Sequence, residues 1–176
     1  MTKAELGKRI FDASYLTGDF TLRSGVYSNE YFDKYRFESQ PDILRAIAEH
    51  LAQLLPDGID AVAGLPLGGI PLATALSLHS GIPCLFVRKE AKSHGTRNWI
   101  EGMPVEGKKL CIIEDVVTTG GQIIDSIQIL RKEGALIDTT LCVIARTGKA
   151  FANLEHHQVE LRSLFTMQEL KAANKK

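Results

Sequence analysis

The stretch CIIEDVVTTGGQ, residues 111–122, joins a run of apolar residues to two adjacent acids and a glycine turn. Like charges side by side repel, so Glu114 and Asp115 at the end of a buried strand require a partner. Residues 118–121 follow almost at once, and glycines before a helix expose backbone N–H groups as a cradle for an anion. Sugar hydroxyls can donate hydrogen bonds to the two acids, and a phosphate can accept hydrogen bonds from the N–H groups of the cradle. The stretch therefore predicts a site for a phosphorylated sugar. The alternative is an acidic strand end followed by a helix that one of the two threonines caps.

The composition is that of an ordinary globular protein. The 176 residues suit one domain, with 44% hydrophobic and 24% charged residues. Because 21 basic side chains balance 21 acidic ones, the chain lacks the basic excess that a nucleic-acid partner favours. No apolar run is long enough to span a bilayer, and three single cysteines in apolar runs fit buried thiols in a reducing compartment. We therefore expect a cytoplasmic protein that has neither a membrane nor a nucleic-acid partner.

Strand-like and helix-like segments alternate along the chain. The segments 41–56, 68–81 and 121–134 show amphipathic periodicity or proline and glycine boundaries, which predict helices. The candidate strands are apolar throughout, and they are 59–66, 82–89, 108–116, 138–146 and 159–166. Such strands, separated by helices, are typical of a parallel sheet covered on both faces. The sequence therefore predicts a single α/β domain over 1–176, with its core at 41–166.

The N-terminal region, residues 1–40, departs from this alternation. Its segment 20–37 has alternating polarity, turn residues and several aromatic rings. These features predict antiparallel structure or a loop laid over the sheet.

Two further segments fall where an open α/β sheet binds ligands, beyond the carboxyl ends of its strands. GLPLGGIP, residues 64–71, is either a second cradle for a phosphate or a plain strand-to-helix turn. VRKEAKSHGTRNWIEG, residues 87–102, is either a solvated loop or a lid that closes over a polyanion. Its cations and potential cations are Arg88, Lys89, Lys92, His94 and Arg97.

Together these segments resemble the type I phosphoribosyltransferases and, within them, the branch that uses orotate. CIIEDVVTTGG matches the family's signature for 5-phosphoribosyl 1-pyrophosphate (PRPP), RKEAKSHGT…IEG resembles its catalytic loop, and FTLRSG…YFDKY resembles its N-terminal hood. The resemblance extends over about residues 20–146. It implies the type I phosphoribosyltransferase fold, a central parallel sheet flanked by helices with an N-terminal hood. It also implies transfer of the phosphoribosyl group from PRPP to orotate in pyrimidine biosynthesis, giving orotidine 5'-monophosphate and pyrophosphate.

The resemblance also assigns roles along the donor. Glu114 and Asp115 would hold the ribose hydroxyls, residues 118–121 the 5-phosphate, and the loop at 67–69 the pyrophosphate. The residues expected to bind PRPP are Leu67, Gly68, Gly69, Arg88, Lys89, Glu114, Asp115, Val116, Val117, Thr118, Thr119, Gly120 and Gly121.

The remaining roles concern the base and the leaving group. Lys92 and His94 would come from the neighbouring subunit of a homodimer, stabilise the leaving pyrophosphate and, with the acid pair, form the catalytic set. Mg²⁺ would be held mainly through the substrate, with no metal site made by the protein. The residues expected to line the orotate pocket are Arg23, Tyr31, Phe32, Thr118 and Arg146.

Some positions depart from the family pattern. Some members carry a lysine where this chain has Gly68, and Arg146 is flanked here by Ala145 and Thr147 instead of the common acidic and Gln-Glu neighbours. Two other functions therefore stay open: a phosphoribosyltransferase for another base, such as uracil or a purine, and a non-catalytic nucleotide-binding regulator with the same fold.

Overall fold

Strands and helices alternate through the computed structural model, which describes residues 1–21, 25–90 and 99–174. The strands are β1 (Tyr15–Thr21), β2 (Tyr27–Phe32), β3 (Ala61–Gly64), β4 (Cys84–Val87), β5 (Ile100–Glu101), β6 (Lys109–Val117), β7 (Leu136–Ala145) and β8 (Glu160–Thr166). The helices are α1 (Lys3–Ser14), α2 (Tyr35–Glu38), α3 (Pro41–Ala52), α4 (Gly69–Ser80), α5 (Gly121–Lys132), α6 (Lys149–His156) and α7 (Met167–Ala173). Within these described residues, no helix is both long and apolar enough to cross a membrane.

The central sheet has the strand order β5-β4-β3-β6-β7-β8. Its strands run parallel except β5, which pairs antiparallel with β4 at the edge. All of β3 and most of β6 are buried, as expected for strands covered on both faces. The predicted α/β fold with a central parallel sheet is therefore confirmed. The short antiparallel strand β5 was not predicted, because two residues carry no readable periodicity.

The chain reverses its direction across the sheet between β3 and β6. From β3 it moves to β4 on one side, whereas from β6 it moves to β7 and β8 on the other. These two strands are neighbours, and Gly64 pairs with Ile113 close to their carboxyl ends. Ligands of open α/β sheets bind at such a reversal. The loops that follow β3 and β6 are the two cradles expected from the sequence.

Helices cover the sheet on both faces. On one face, Ile127 of α5 and Leu154 of α6 belong to the same buried cluster as Ile112 of β6. On the other face, Ile47 of α3 belongs to the same cluster as Ile113. Successive side chains of a strand point to opposite faces, so β6 contributes to both clusters. Because β6 is packed on both faces, its carboxyl end is held in place.

The N-terminal region packs against the second of these faces. Within it, β1 and β2 form an antiparallel hairpin, so part of the segment 20–37 is antiparallel, as expected. The C-terminal helix α7 was not predicted. It begins with a capping box formed by Thr166 and Glu169, and it packs against α1. Residues from both ends of the chain therefore lie together beside the sheet.

Candidate functional site

The turn between β6 and α5 forms the first cradle. Gly120 has a φ of +82°, a left-handed conformation that glycine adopts at no steric cost, and α5 begins at the next residue. Within the described residues no side chain caps α5, so the alternative of a threonine cap is wrong. Thr118 and Thr119 are instead exposed, and their carbonyl oxygens accept hydrogen bonds from Thr147 Oγ1 (2.6 Å) and Asn153 Nδ2 (2.9 Å). No described side chain caps the first N–H groups of α5, and their role in binding an anion stays a prediction.

The second cradle lies between β3 and α4, and its glycines are required by close packing. A Cβ atom at Gly69 would overlap the Ile113 carbonyl oxygen, and one at Gly68 would overlap the Asp115 carboxylate. Leu67, by contrast, is 61% exposed at the tip of the loop. No side chain of the described residues caps α4. The loop therefore packs directly on the end of β6 that carries the acid pair, and its role as a phosphate cradle stays a prediction.

The acid pair has the partner that its like charges require. Glu114 and Asp115 are buried, and the Asp115 N–H donates to Glu114 Oε1 (2.9 Å). The Val116 N–H donates to Asp115 Oδ1 (2.5 Å), and Lys34 Nζ lies 2.6 Å from Asp115 Oδ2. Lys34 stands immediately before α2 in the N-terminal region. It was not among the residues predicted for the site.

A third carboxyl group, that of Glu38 on α2, completes this cluster. Burial, and then the neighbouring Asp115, raise the pKa of both Glu38 and Glu114 to about 9. Burial also acts to raise the pKa of Asp115, but hydrogen bonds with Glu114 and Lys34 outweigh it and hold that pKa below its usual value. These shifts favour the neutral forms of Glu38 and Glu114 and the ionised form of Asp115, which lies opposite the Lys34 ammonium.

Four of the five residues predicted for the base pocket line one cavity, and its role as that pocket stays a prediction. A cavity of about 360 Å³ brings together Tyr31, Phe32, Thr118 and Arg146. The fifth predicted residue, Arg23, lies outside the described residues. Sequence reasoning missed the other lining residues, because they come together only when the chain folds. These residues are Tyr15, Ser28, Glu30, Thr147, Met167 and Lys171.

The cationic segment after β4 is described only at its two ends. Arg88 and Lys89 line a cavity of about 270 Å³ together with Pro66 and Gln122, so these cations border both cradles. Arg88 Nη1 lies 3.4 Å from Glu101 Oε1. Lys92 and His94 fall in residues 91–98, outside the described part of the chain, so their roles stay predictions.

Comparisons with known proteins agree with this geometry. The family of phosphoribosyl transferase domains matches residues 35–167. An orotate phosphoribosyltransferase of Nocardioides sp. is 47% identical over 158 residues, which are 90% of this chain and 88% of that protein. The chain belongs to the orotate phosphoribosyltransferase family. The resemblance found in the sequence motifs is thereby confirmed.

Solved structures of this family extend the match to three dimensions. The orotate phosphoribosyltransferase of Mycobacterium tuberculosis H37Rv in complex with PRPP has a TM-score of 0.82 and 27% identity, covering 96% of this chain and 98% of that one. The UMP synthase of Leishmania donovani has a TM-score of 0.84 and 30% identity, covering 98% of this chain. This chain spans 38% of the length of that second protein.

Proposed function

We propose that this chain transfers the phosphoribosyl group of PRPP to orotate, giving orotidine 5'-monophosphate and pyrophosphate. The observation that carries the proposal is the acid pair, which lies between the N-termini of α4 and α5. Thr118, three residues after Asp115, lines the cavity that also contains Arg146. Membership of the orotate phosphoribosyltransferase family supports it.

The donor would lie along the carboxyl edge of the sheet. Its 5-phosphate would accept hydrogen bonds from the N–H groups at the start of α5, where the helix dipole also favours negative charge. The ribose hydroxyls would donate to Glu114 and Asp115. The pyrophosphate would then extend toward the loop at 67–69, where Arg88 and Lys89 border the same space.

In the reaction, the deprotonated ring nitrogen of orotate attacks C1 of the ribose and the bond from C1 to the pyrophosphate oxygen breaks. Orotate brings its own nucleophile, so the protein's work is orientation and charge stabilisation. The Asp115 carboxylate favours positive charge on the ribose ring as the bond breaks. The cations after β4, including Lys92 and His94 by the sequence prediction, would neutralise the charge that collects on pyrophosphate.

The proposal includes Mg²⁺ held mainly by the substrate. In the described residues, no group of three or more His, Cys, Asp or Glu side chains could hold a metal ion. Mg²⁺ binds through phosphate oxygens with only one or two carboxylates, so the Asp115 carboxylate beside the expected ribose suits an ion that arrives with the donor. When bound, the ion would offset negative charge on the pyrophosphate and make it a better leaving group.

Arg146 favours orotate over the other bases. Its guanidinium lines the base pocket and could make charge-assisted hydrogen bonds to the orotate carboxylate, which uracil and purines lack. The direct test is pyrophosphate release from PRPP with orotate, uracil or a purine as the acceptor. Release with orotate alone is expected. Release with another base would point to a different phosphoribosyltransferase, and no release with any base would point to a binding protein.

We also propose a homodimer that shares its catalytic loop, and a cytoplasmic location. The acid pair of one subunit and Lys92 and His94 of its neighbour would form each site, as the family resemblance implies. The cytoplasmic location is supported by the three cysteines, which are free in the structure.

A further inference from the structure

Asp115 is covered in the folded chain. Its side chain has 0% exposure, although the proposed function requires it to meet ribose hydroxyls. Three groups lie against its carboxylate: the Lys34 ammonium, the backbone at Gly68, and the carboxyl of Glu38. A hydroxyl that reaches Asp115 Oδ2 must therefore displace one of them.

Of these three groups, the Lys34 side chain is the one that can move away from the carboxylate. The loop at Gly68 is fixed because it packs on β6, and Glu38 is 8% exposed within α2. The Lys34 side chain is 32% exposed, and its ammonium ends a long flexible stem. It also lies 5.2 Å from the centre of the Tyr35 ring, at the outer side of the cluster. Movement of this one side chain would uncover the carboxylate without changing the backbone.

The displaced ammonium would lie beside the second cradle. The oxygen that it contacts, Asp115 Oδ2, is the same atom that a side chain at Gly68 would overlap. Residues 65–70, LPLGGI, carry no charged side chain. The loop expected to meet pyrophosphate therefore offers backbone N–H groups only, and Lys34 is a cation already held at its edge.

We propose that Lys34 is a donor-binding residue with two positions. In the free protein it pairs with Asp115, and when ribose hydroxyls take that carboxylate it turns to the pyrophosphate and supplies the charge that Gly68 lacks. The inference rests on the proposed function, since it takes the ribose and pyrophosphate positions from there. It predicts that Lys34 acts oppositely on the two halves of the donor.

The test measures binding of ribose 5-phosphate alone, and of inorganic pyrophosphate in the presence of saturating ribose 5-phosphate, by calorimetry at a fixed Mg²⁺ concentration. Lys34→Met removes the charge and keeps most of the stem, Lys34→Arg keeps the charge, and Lys8→Met removes an exposed cation of α1 as the matched control. For Lys34→Met we expect pyrophosphate affinity to fall about tenfold, because a charge-assisted hydrogen bond is lost. Ribose 5-phosphate should bind at least as tightly as before, because its competitor for Asp115 is gone. Lys34→Arg should keep most of the pyrophosphate affinity.

Two results would overturn the inference: unchanged pyrophosphate affinity in Lys34→Met, or an equal loss of affinity for both ligands. If the wild-type chain binds neither ligand, the proposed function itself fails.

A measurement on the wild-type chain covers the case in which Lys34→Met does not fold. The rate at which acetic anhydride acetylates Lys34 is followed by peptide mass spectrometry. Ribose 5-phosphate should raise that rate by releasing the amine from Asp115, and pyrophosphate added together with it should lower the rate again. A rate that ribose 5-phosphate does not raise, or that added pyrophosphate does not lower, would reject the two positions.

Discussion

The side-chain amide of Gln122 donates a hydrogen bond to the carbonyl oxygen of Pro66, 3.2 Å away, and so joins the start of α5 to the loop before α4. We expect this bond to hold the spacing of the two cradles, which must match the distance between the two ends of the donor. A change at Gln122 should therefore affect donor binding more than the chemical step.

Gln122→Ala should raise the KM for PRPP about fivefold and leave kcat nearly unchanged, since a neutral hydrogen bond contributes about 1 kcal/mol net. Steady-state kinetics with varied PRPP measures this. Gln128→Ala, an exposed position on the same helix, is the control. A fall in kcat with KM unchanged would contradict the spacing role.

Gly68→Ala should damage the acid cluster, because the added Cβ would overlap the Asp115 carboxylate and lie 2.8 Å from Glu38 Oε1. We expect a loss of about 1–3 kcal/mol in unfolding free energy, together with weaker PRPP binding. Gly148→Ala is the matched control, since a Cβ there meets nothing within 4 Å. Denaturant unfolding and PRPP titration of both variants give the comparison. Equal behaviour of the two variants would show that the carboxylate has room to move.

Glu38→Gln should flatten the dependence of stability on pH. The pKa of Glu38 is raised to about 9 in the folded chain, whereas its ordinary value is 4.5. Between these values the folded chain holds a proton that the unfolded chain releases, so the unfolding free energy falls as pH rises through this window. Glutamine keeps the neutral shape and cannot titrate. Urea unfolding at about pH 6 and about pH 9 should show a smaller fall in the variant than in the wild type. An unchanged difference would mean that Glu38 is ionised in the fold.

Arg146→Lys should reduce kcat/KM for orotate by about tenfold or more, because lysine cannot form the paired hydrogen bonds of a guanidinium. Any residual activity with uracil should stay the same, since uracil has no carboxylate for the arginine to bind. Lys149→Gln removes a nearby cation that does not line the pocket, and it should leave both substrates unaffected. Equal losses with both bases would assign Arg146 to the donor instead.

Mixed dimers test the shared loop. Lys92→Ala and Asp115→Asn should each be inactive alone, and random exchange makes half of the dimers mixed. Each mixed dimer then contains one intact site and one doubly altered site, so activity should return to about a quarter of wild type. Mass measurement confirms the exchange. No recovery after complete exchange would show that loop and acid pair act within one subunit.

The local parts of this site could be predicted from the sequence. Glu114, Asp115 and the glycine turn are close together in the sequence, so one short stretch is enough to predict their chemistry. The apolar strands around them are enough to predict the parallel sheet. Lys34 and Glu38 could not be predicted in the same way, because their place beside Asp115 depends on how α2 packs over the end of β6. One signal was available: Gly68 stands where some family members carry a lysine, so the loop at 67–69 has no charged side chain of its own.

The base pocket is harder to predict from the sequence, because its lining residues are far apart in the chain and come together only in the fold. Tyr31, Phe32 and Arg146 were predicted from the family resemblance, but Glu30 and Lys171 carry no local pattern that marks them. They form an ion pair only because α7 returns to the N-terminal hairpin.

The pairing of Glu30 with Lys171 spans 141 positions of the chain. The cradle for the 5-phosphate, in contrast, is built from neighbouring residues that can adopt their turn as soon as β6 and α5 exist. Long-range contacts form late in folding because the loop that they close is costly in entropy. As the polypeptide emerges from the ribosome, the turn expected to bind the sugar phosphate is thus synthesised as a unit. The cavity expected to bind the base can form only after α7, with Lys171, has emerged and packed against the N-terminal hairpin.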